Sequence, residues 1–227
     1  MSRSLRVGMI VPSSNTTMET EVPQLLARRR ADDAVSFTFH SSRSRLHSVT
    51  PEELARMVDD GERCAAEVAD ADVDVISYAC LVALMAQGEG YHRVAEERIS
   101  RAAAENGVKV PVVTSAGALL DGVRALGARR IAVLAPYMKP LTQMVVDYIE
   151  ADGIEVVDWH CLEVPDNLQV GRIDPDSLLG HLGSLDLGDA DALVLSACVQ
   201  CPSLPAIEAA QERTGLPVLS AATATTF

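Results

Sequence analysis

Aromatic residues are scarce in this chain: one Trp, four Tyr and three Phe among 227 residues. Bases of a nucleic acid would find few stacking platforms. Positive charge is short as well, with 19 Lys and Arg against 32 Asp and Glu, a formal net charge of −13. Such a surface repels phosphate backbones and anionic membranes, so neither nucleic acid nor membrane is expected as a partner. It also offers an anionic ligand no long-range attraction, so anion binding would need local donors. No apolar run is long enough to span a membrane. The opening Met1-Ser2-Arg3-Ser4-Leu5-Arg6 leads directly into a strand-like run, without the apolar region of a secretory signal. Five cysteines give an odd count and no disulfide framework, which points to free thiols in a reducing cytoplasm. Neither G-x-x-x-x-G-K nor G-x-G-x-x-G occurs, so a nucleotide site is unsupported. The histidines (His40, His47, His92, His160, His181) lack metal-ligand spacing, and no metal is expected.

What is present is a repeat. A hydrophobic content of 48% supplies a real core for one large or two small domains. Val7 to Pro12 resembles Ile131 to Pro136, and Val35 to His40 resembles Val156 to His160. Asp74 to Cys80 resembles Asp191 to Cys198, and Val110 to Ala116 resembles Leu216 to Ala221. The pairs keep their order while their offset drifts from 124 to 106 residues. This predicts a duplicated unit of four strands. The runs are short and continuously apolar, as parallel strands buried on both faces are. Helical stretches separate them. One opens at Thr50-Pro51-Glu52-Glu53, a cap, a first-turn proline and a capping box, and is expected to continue to Asp70. Others are expected over 90–105, 117–127, 140–151 and from Asp174-Pro175. The reading is an α/β fold with two pseudo-symmetric, Rossmann-like halves. Each has a four-stranded parallel sheet flanked by helices, with the active site between them. The halves are placed at residues 1–117 and 118–227, with the terminal segment packing back on the first half. By the internal offset, the last helix, starting near Ala222, is expected to be shorter than its first-half counterpart.

Ligands of open parallel sheets lie beyond the carboxyl ends of the strands. At matching ends of the two halves stand Cys80 and Cys198. A lone cysteine there reads as a small buried hydrophobe; a mirrored pair reads as two thiols facing one substrate. A thiolate nucleophile needs dipoles or donors that lower its pKa, and Leu81-Val82-Ala83-Leu84-Met85 after Cys80 supplies little but backbone. A low-pKa thiolate is therefore expected, activated by local dipoles, with a closing loop over 81–90 to exclude water. Pro12-Ser13-Ser14-Asn15-Thr16-Thr17 follows the first strand. It suits either an ordinary N-cap cluster or a carboxylate cradle of backbone N–H groups. Cys198-Val199-Gln200-Cys201 is a C-x-x-C without a second copy, so redox or zinc use is disfavoured and Cys201 reads as supporting structure. Cys64 and Cys161 read as packing residues. Tyr137 and Asn167 fall on cleft loops of the second half. His40, Arg43 and Arg45 offer positive charge, though exposed pairing is the commoner fate of such arginines.

These motifs carry a family resemblance. Val11 to Glu21, Phe37 to Arg43, Tyr78 to Ala83 and Ser196 to Ser203 resemble the maleate cis–trans isomerases of the aspartate/glutamate racemase superfamily. The resemblance implies that Cys80 is the nucleophile and Cys198 the proton donor and acceptor. It implies that Ser14, Asn15, Tyr137 and Asn167, with the segments at Leu81, Val82, Val199 and Gln200, hold the two carboxylates of a small dicarboxylate. It also implies a homodimer, no cofactor, and conversion of maleate to fumarate through a succinyl-cysteine intermediate. Alternatives are a racemase or decarboxylase of the same superfamily, or a small-acid-binding protein without turnover.

Overall fold

The structure is a computed structural model that describes residues 3–29 and 35–227; Met1 and Ser2 of the opening segment lie outside the described residues. In the first half, strand β1 (Arg3–Pro12) leads to α1 (Met18–Arg29) and β2 (Val35–Ser44). Helices α2 (Pro51–Asp59) and α3 (Gly61–Ala69) precede β3 (Val75–Tyr78), followed by α4 (Leu81–Met85), α5 (Tyr91–Glu105), β4 (Val112–Thr114) and α6 (Ser115–Ala125). The second half runs β5 (Arg130–Ala135), α7 (Lys139–Ala151), β6 (Glu155–Cys161), α8 (Asn167–Val170), α9 (Pro175–Gly180) and β7 (Ala192–Ser196). It closes with α10 (Ile207–Thr214), β8 (Val218–Ser220) and α11 (Ala221–Thr226).

The two sheets have the same plan. The first is ordered β2-β1-β3-β4 and the second β6-β5-β7-β8, with every pairing parallel. The predicted duplication is thus present at the level of strand order. The carboxyl-terminal parts of the central strands are apolar, as suits strands covered by helices on both faces: Met9, Ile10 and Val11, like Ile131 to Ala135, are buried. A register shift at Ile131/Ala132 breaks the likeness of the first strand pairs.

Two local expectations fail. The stretch from Thr50 to Asp70 is two helices that meet at Asp60. Gly61, a poor helix former, follows that break, and a Cβ there would lie 3.1 Å from Ile99 Cδ1. Close packing of α3 on α5 therefore takes precedence over one continuous helix. Thr50 does cap α2, accepting from Glu53 N, but the capping box is not closed. The Glu53 carboxylate instead accepts the backbone N–H groups of His47 (2.6 Å) and Ser48 (2.7 Å), which the preceding loop leaves unpaired.

The halves meet over a broad front. Helix α11 packs on α6 and α1, and α4 packs on α7. Buried His92 of α5 meets the Tyr148 hydroxyl of α7, with Nδ1 2.5 Å from the oxygen and the backbone N–H donating at 3.1 Å. Asp152 of the second half accepts from Arg93 of the first, and also from Arg124. These contacts bring the carboxyl ends of β1, β3, β5 and β7 toward one another.

Candidate active site

Strand β3 ends two residues before Cys80, and β7 ends two residues before Cys198. Cys80 occupies the N-cap position of α4 without a side-chain cap bond, and the Ala83 N–H nearby favours charge on its sulfur. The Cys198 thiol accepts from the Gln200 N–H at 3.4 Å, and the Cys201 N–H and the Tyr137 hydroxyl lie near enough to favour charge on it. Both cysteines are free and deeply buried, at 4% and 3% exposure. They lie near enough for charge on one to disfavour charge on the other.

Burial decides the ionisation of this pair. Loss of hydration pushes the Cys80 thiol up to about 12, and the single N–H donor only partly offsets it. Burial pushes Cys198 up as well, against three donors that favour its thiolate. The expected low-pKa nucleophile is therefore not what the structure holds. Neutral backbone and hydroxyl dipoles do not outweigh desolvation when no cation stands nearby. With its larger set of donors, Cys198 is the better seat for the one negative charge the pair can hold.

Of the remaining predicted residues, Tyr137 and the Gln200 N–H stand beside Cys198. Leu81 and Val82 form the buried first turn of α4, whose opening N–H groups have no intrahelical partner. Because Leu81 to Met85 are all buried, this segment is a wall and not the closing loop expected over 81–90. Tyr137 is buried beside Cys198; burial pushes its phenol well up, and charge on Cys198 or Cys80 disfavours its ionisation further. Asn15 Oδ1 caps α1, accepting from Thr17 N (3.0 Å) and Met18 N (2.9 Å), while its Nδ2 donates to Val199 O (3.2 Å) across the halves. Ser14 Oγ donates to Leu46 O (2.6 Å) and accepts from Asn167 Nδ2 (2.7 Å).

Gln200 has a role that sequence alone does not show. Its side chain accepts from Thr16 N (2.9 Å) and donates to Ser14 O (3.0 Å) and Asn167 O (2.9 Å). The amide is filled by protein partners and clamps the two halves, which leaves only its backbone toward the thiols. Thr17 Oγ1 adds a bond to Gln200 O (2.6 Å), and Glu21 accepts from Ser203 and Leu204 N–H. Thr17 and Glu21 fall within motifs that the sequence singles out, but their part in holding the two halves together does not show there, because their partners lie more than 180 residues away. Arg43 donates to Ser13 O (2.8 Å) and Asn15 O (3.1 Å) and pairs with Glu19, so its charge braces the 12–17 loop. His40 Nε2 lies 3.0 Å from Thr38 Oγ1, and Arg45 is exposed.

An apolar groove of about 410 Å³ reaches Tyr137 and Asn167 from outside, walled by Ala86, Met138, Leu141 and Pro165. Among the described residues no cluster of three or more His, Cys, Asp or Glu is gathered as a metal site, and no helix is long and apolar enough to cross a membrane.

The family model for arylmalonate decarboxylase matches residues 7–227. The maleate isomerase of Geobacillus stearothermophilus is 58% identical over all of this chain and 91% of its own length. A mutant maleate isomerase from Pseudomonas putida S16, solved with maleate, superposes with a TM-score of 0.97 at 57% identity, covering 99% of this chain and 90% of that one. A mutant of the Nocardia farcinica maleate cis–trans isomerase, solved with a covalently bound succinylcysteine intermediate, gives 0.94 at 49% identity, covering 98% and 90%. Two mirrored sheets, a thiol at each matching strand end and identity above one half over the full length lead to one assignment: the chain belongs to the arylmalonate decarboxylase family of the aspartate/glutamate racemase-like superfamily, on its maleate isomerase branch.

Proposed function

We propose that this protein isomerises maleate to fumarate by reversible addition of a thiol across the double bond. The observation that carries the reading is the pair of buried, electrostatically coupled thiols, one from each half, with the Tyr137 hydroxyl against Cys198. Residues 1–117 and 118–227 supply the two walls. A carbon–carbon double bond does not rotate at ambient temperature, and a covalent intermediate divides that barrier into smaller steps.

The pair enters the cycle with one proton. Cys198 holds the charge, and the Cys80 proton passes to it as the Cys80 sulfur bonds to one vinylic carbon. The other vinylic carbon takes that proton from Cys198, which leaves a succinyl thioether on Cys80 and a thiolate on Cys198. The former double bond is now single and turns. Cys198 then removes a proton from the same carbon, the C–S bond breaks, and fumarate leaves; the proton passes back from Cys198 to the Cys80 thiolate, which restores the starting state.

Attack drives negative charge into a carboxylate, so neutral donors must meet it in a site closed to water. The candidates are the Tyr137 hydroxyl, the second Nδ2 hydrogen of Asn15, the amides at Ser14 and Asn167, and backbone N–H groups at Leu81, Val82, Val199 and Gln200. The absence of nearby positive charge suits an intermediate whose net charge does not change. A racemase would need a carboxylate for an α-ammonium group, and Glu21, the buried carboxylate near this site, is engaged by two backbone N–H groups. A decarboxylase needs one thiol, and a passive binder none. The same reading takes the enzyme to be a cofactor-free cytoplasmic homodimer. NMR of reduced protein with maleate and no added cofactor tests it: fumarate signals are expected, and their absence with folded protein contradicts it.

A further inference from the structure

We propose that Glu21 is a positioning residue that fixes the Cys198 loop against the first half; the proposal rests on the isomerase reading. Glu21 is 4% exposed and lies on α1, one turn beyond Thr17. Its Oε1 accepts from Ser203 N (2.7 Å) and Leu204 N (2.9 Å), while its Oε2 is buried without a partner. Burial pushes its pKa up, and the two N–H groups pull the other way. A buried carboxylate with one unpaired oxygen is a costly way to pack a helix. An aliphatic side chain could fill the same space, so the carboxylate is there for what it accepts.

Those two N–H groups open the helical turn Leu204–Ala206 that ends the Cys198 loop. Ser203 stands at the N-cap of that turn, where its own hydroxyl would ordinarily do the capping. It makes no such bond, and Ser203 Oγ is buried without a partner. The cap comes instead from the other half of the molecule, 182 residues away. Asn15 holds Val199 O and Thr17 holds Gln200 O from the same side. The loop bearing Cys198 is thus fastened at Val199, Gln200, Ser203 and Leu204 to one short stretch of the first half. Proton delivery by Cys198 to a carbon bonded to Cys80 depends on this registration, since a displacement of about 1 Å can cost about 100-fold in rate. Glu21 touches no reacting atom and acts through the loop.

The test uses the reduced enzyme with E21A, E21Q and E21D. Two readouts are taken: kcat and KM for maleate, and iodoacetamide labelling of Cys80 and Cys198 resolved by peptide mass spectrometry. E21A is expected to lower kcat about 100-fold with KM within about threefold, and to change labelling of Cys198 about tenfold while leaving Cys80 as in the wild type. E21Q keeps an acceptor oxygen at the same reach and restores kcat to within about threefold; E21D keeps the charge, falls short of the loop and does not. A wild-type kcat in E21A, or equal changes at both thiols, overturns the proposal. Should E21A fail to fold, Q and D decide between them, and an E21Q as impaired as E21D overturns it too. If the wild type makes no fumarate, the isomerase reading falls, while the contrast in labelling still decides whether Glu21 fixes the Cys198 loop.

Discussion

Tyr137 carries one oxygen into the space beside Cys198, and its removal is the smallest change that probes the chemistry. Y137F keeps the ring and the packing but loses a donor to developing charge. It should lower kcat about 10²- to 10³-fold with little effect on thermal stability; steady-state kinetics beside a melting curve checks this. The cysteines were legible in the sequence because each stops an apolar run at a matching point of the repeat. Their ionisation was not legible, because desolvation depends on how completely the halves close over them. Gln200 was legible as a neighbour of Cys198 but not as a clamp, since its partners at Ser14, Thr16 and Asn167 meet it only in the folded chain. Glu21 was legible as the last residue of a family motif but not as a brace, for the same reason.

At the scale of elements, the turn that ends α8 is held against the clamp by Gly171. A Cβ there would sit 2.6 Å from Gln200 Nε2 and 2.7 Å from Thr16 Oγ1. G171A should therefore displace the Gln200 amide, destabilise the fold by about 1–3 kcal/mol and raise KM for maleate; urea unfolding and kinetics measure the two effects. T50A makes a control at a helix end that is distant in role. Loss of its cap on α2 should cost about 1 kcal/mol and leave kcat unchanged. Strand positions were legible because buried parallel strands are continuous apolar runs. The break between α2 and α3 was not, because the helical pattern of apolar residues runs through Asp60 without interruption, while the close approach of Ile99 that leaves little room for a side chain at Gly61 exists only in the folded chain. The segment at Leu81 was misread as mobile because an apolar stretch after a strand can be a lid or a wall, and packing against α2, α5, α6 and α7 makes it a wall.

For the whole molecule, duplication explains both the symmetry of the sheets and the inequality of the two thiols. Equivalent strand ends bring the sulfurs within electrostatic reach of each other, but one N–H group of α4 favours charge on Cys80 while two N–H groups and the Tyr137 hydroxyl favour it on Cys198. Burial raises both thiols above the ordinary range, so at neutral pH most molecules hold two protons on the pair and are inactive. The singly ionised form grows with pH, and kcat/KM should climb from pH 6 to about pH 9 at close to tenfold per unit while the first ionisation stays above the pH. A plateau already reached near neutrality would mean that the first thiol ionises more easily than its burial allows. C80S should abolish turnover without loss of fold.

The convergence of the two sulfurs on one diacid is tested most directly by mass spectrometry of C198A incubated with maleate. Without its proton donor the addition is slow, yet any adduct formed lacks the base that releases it and should accumulate. The account predicts one succinyl group per chain, mapped to Cys80 and to no other cysteine. An unmodified protein after prolonged incubation, or a succinyl group on Cys64, Cys161 or Cys201, would contradict it.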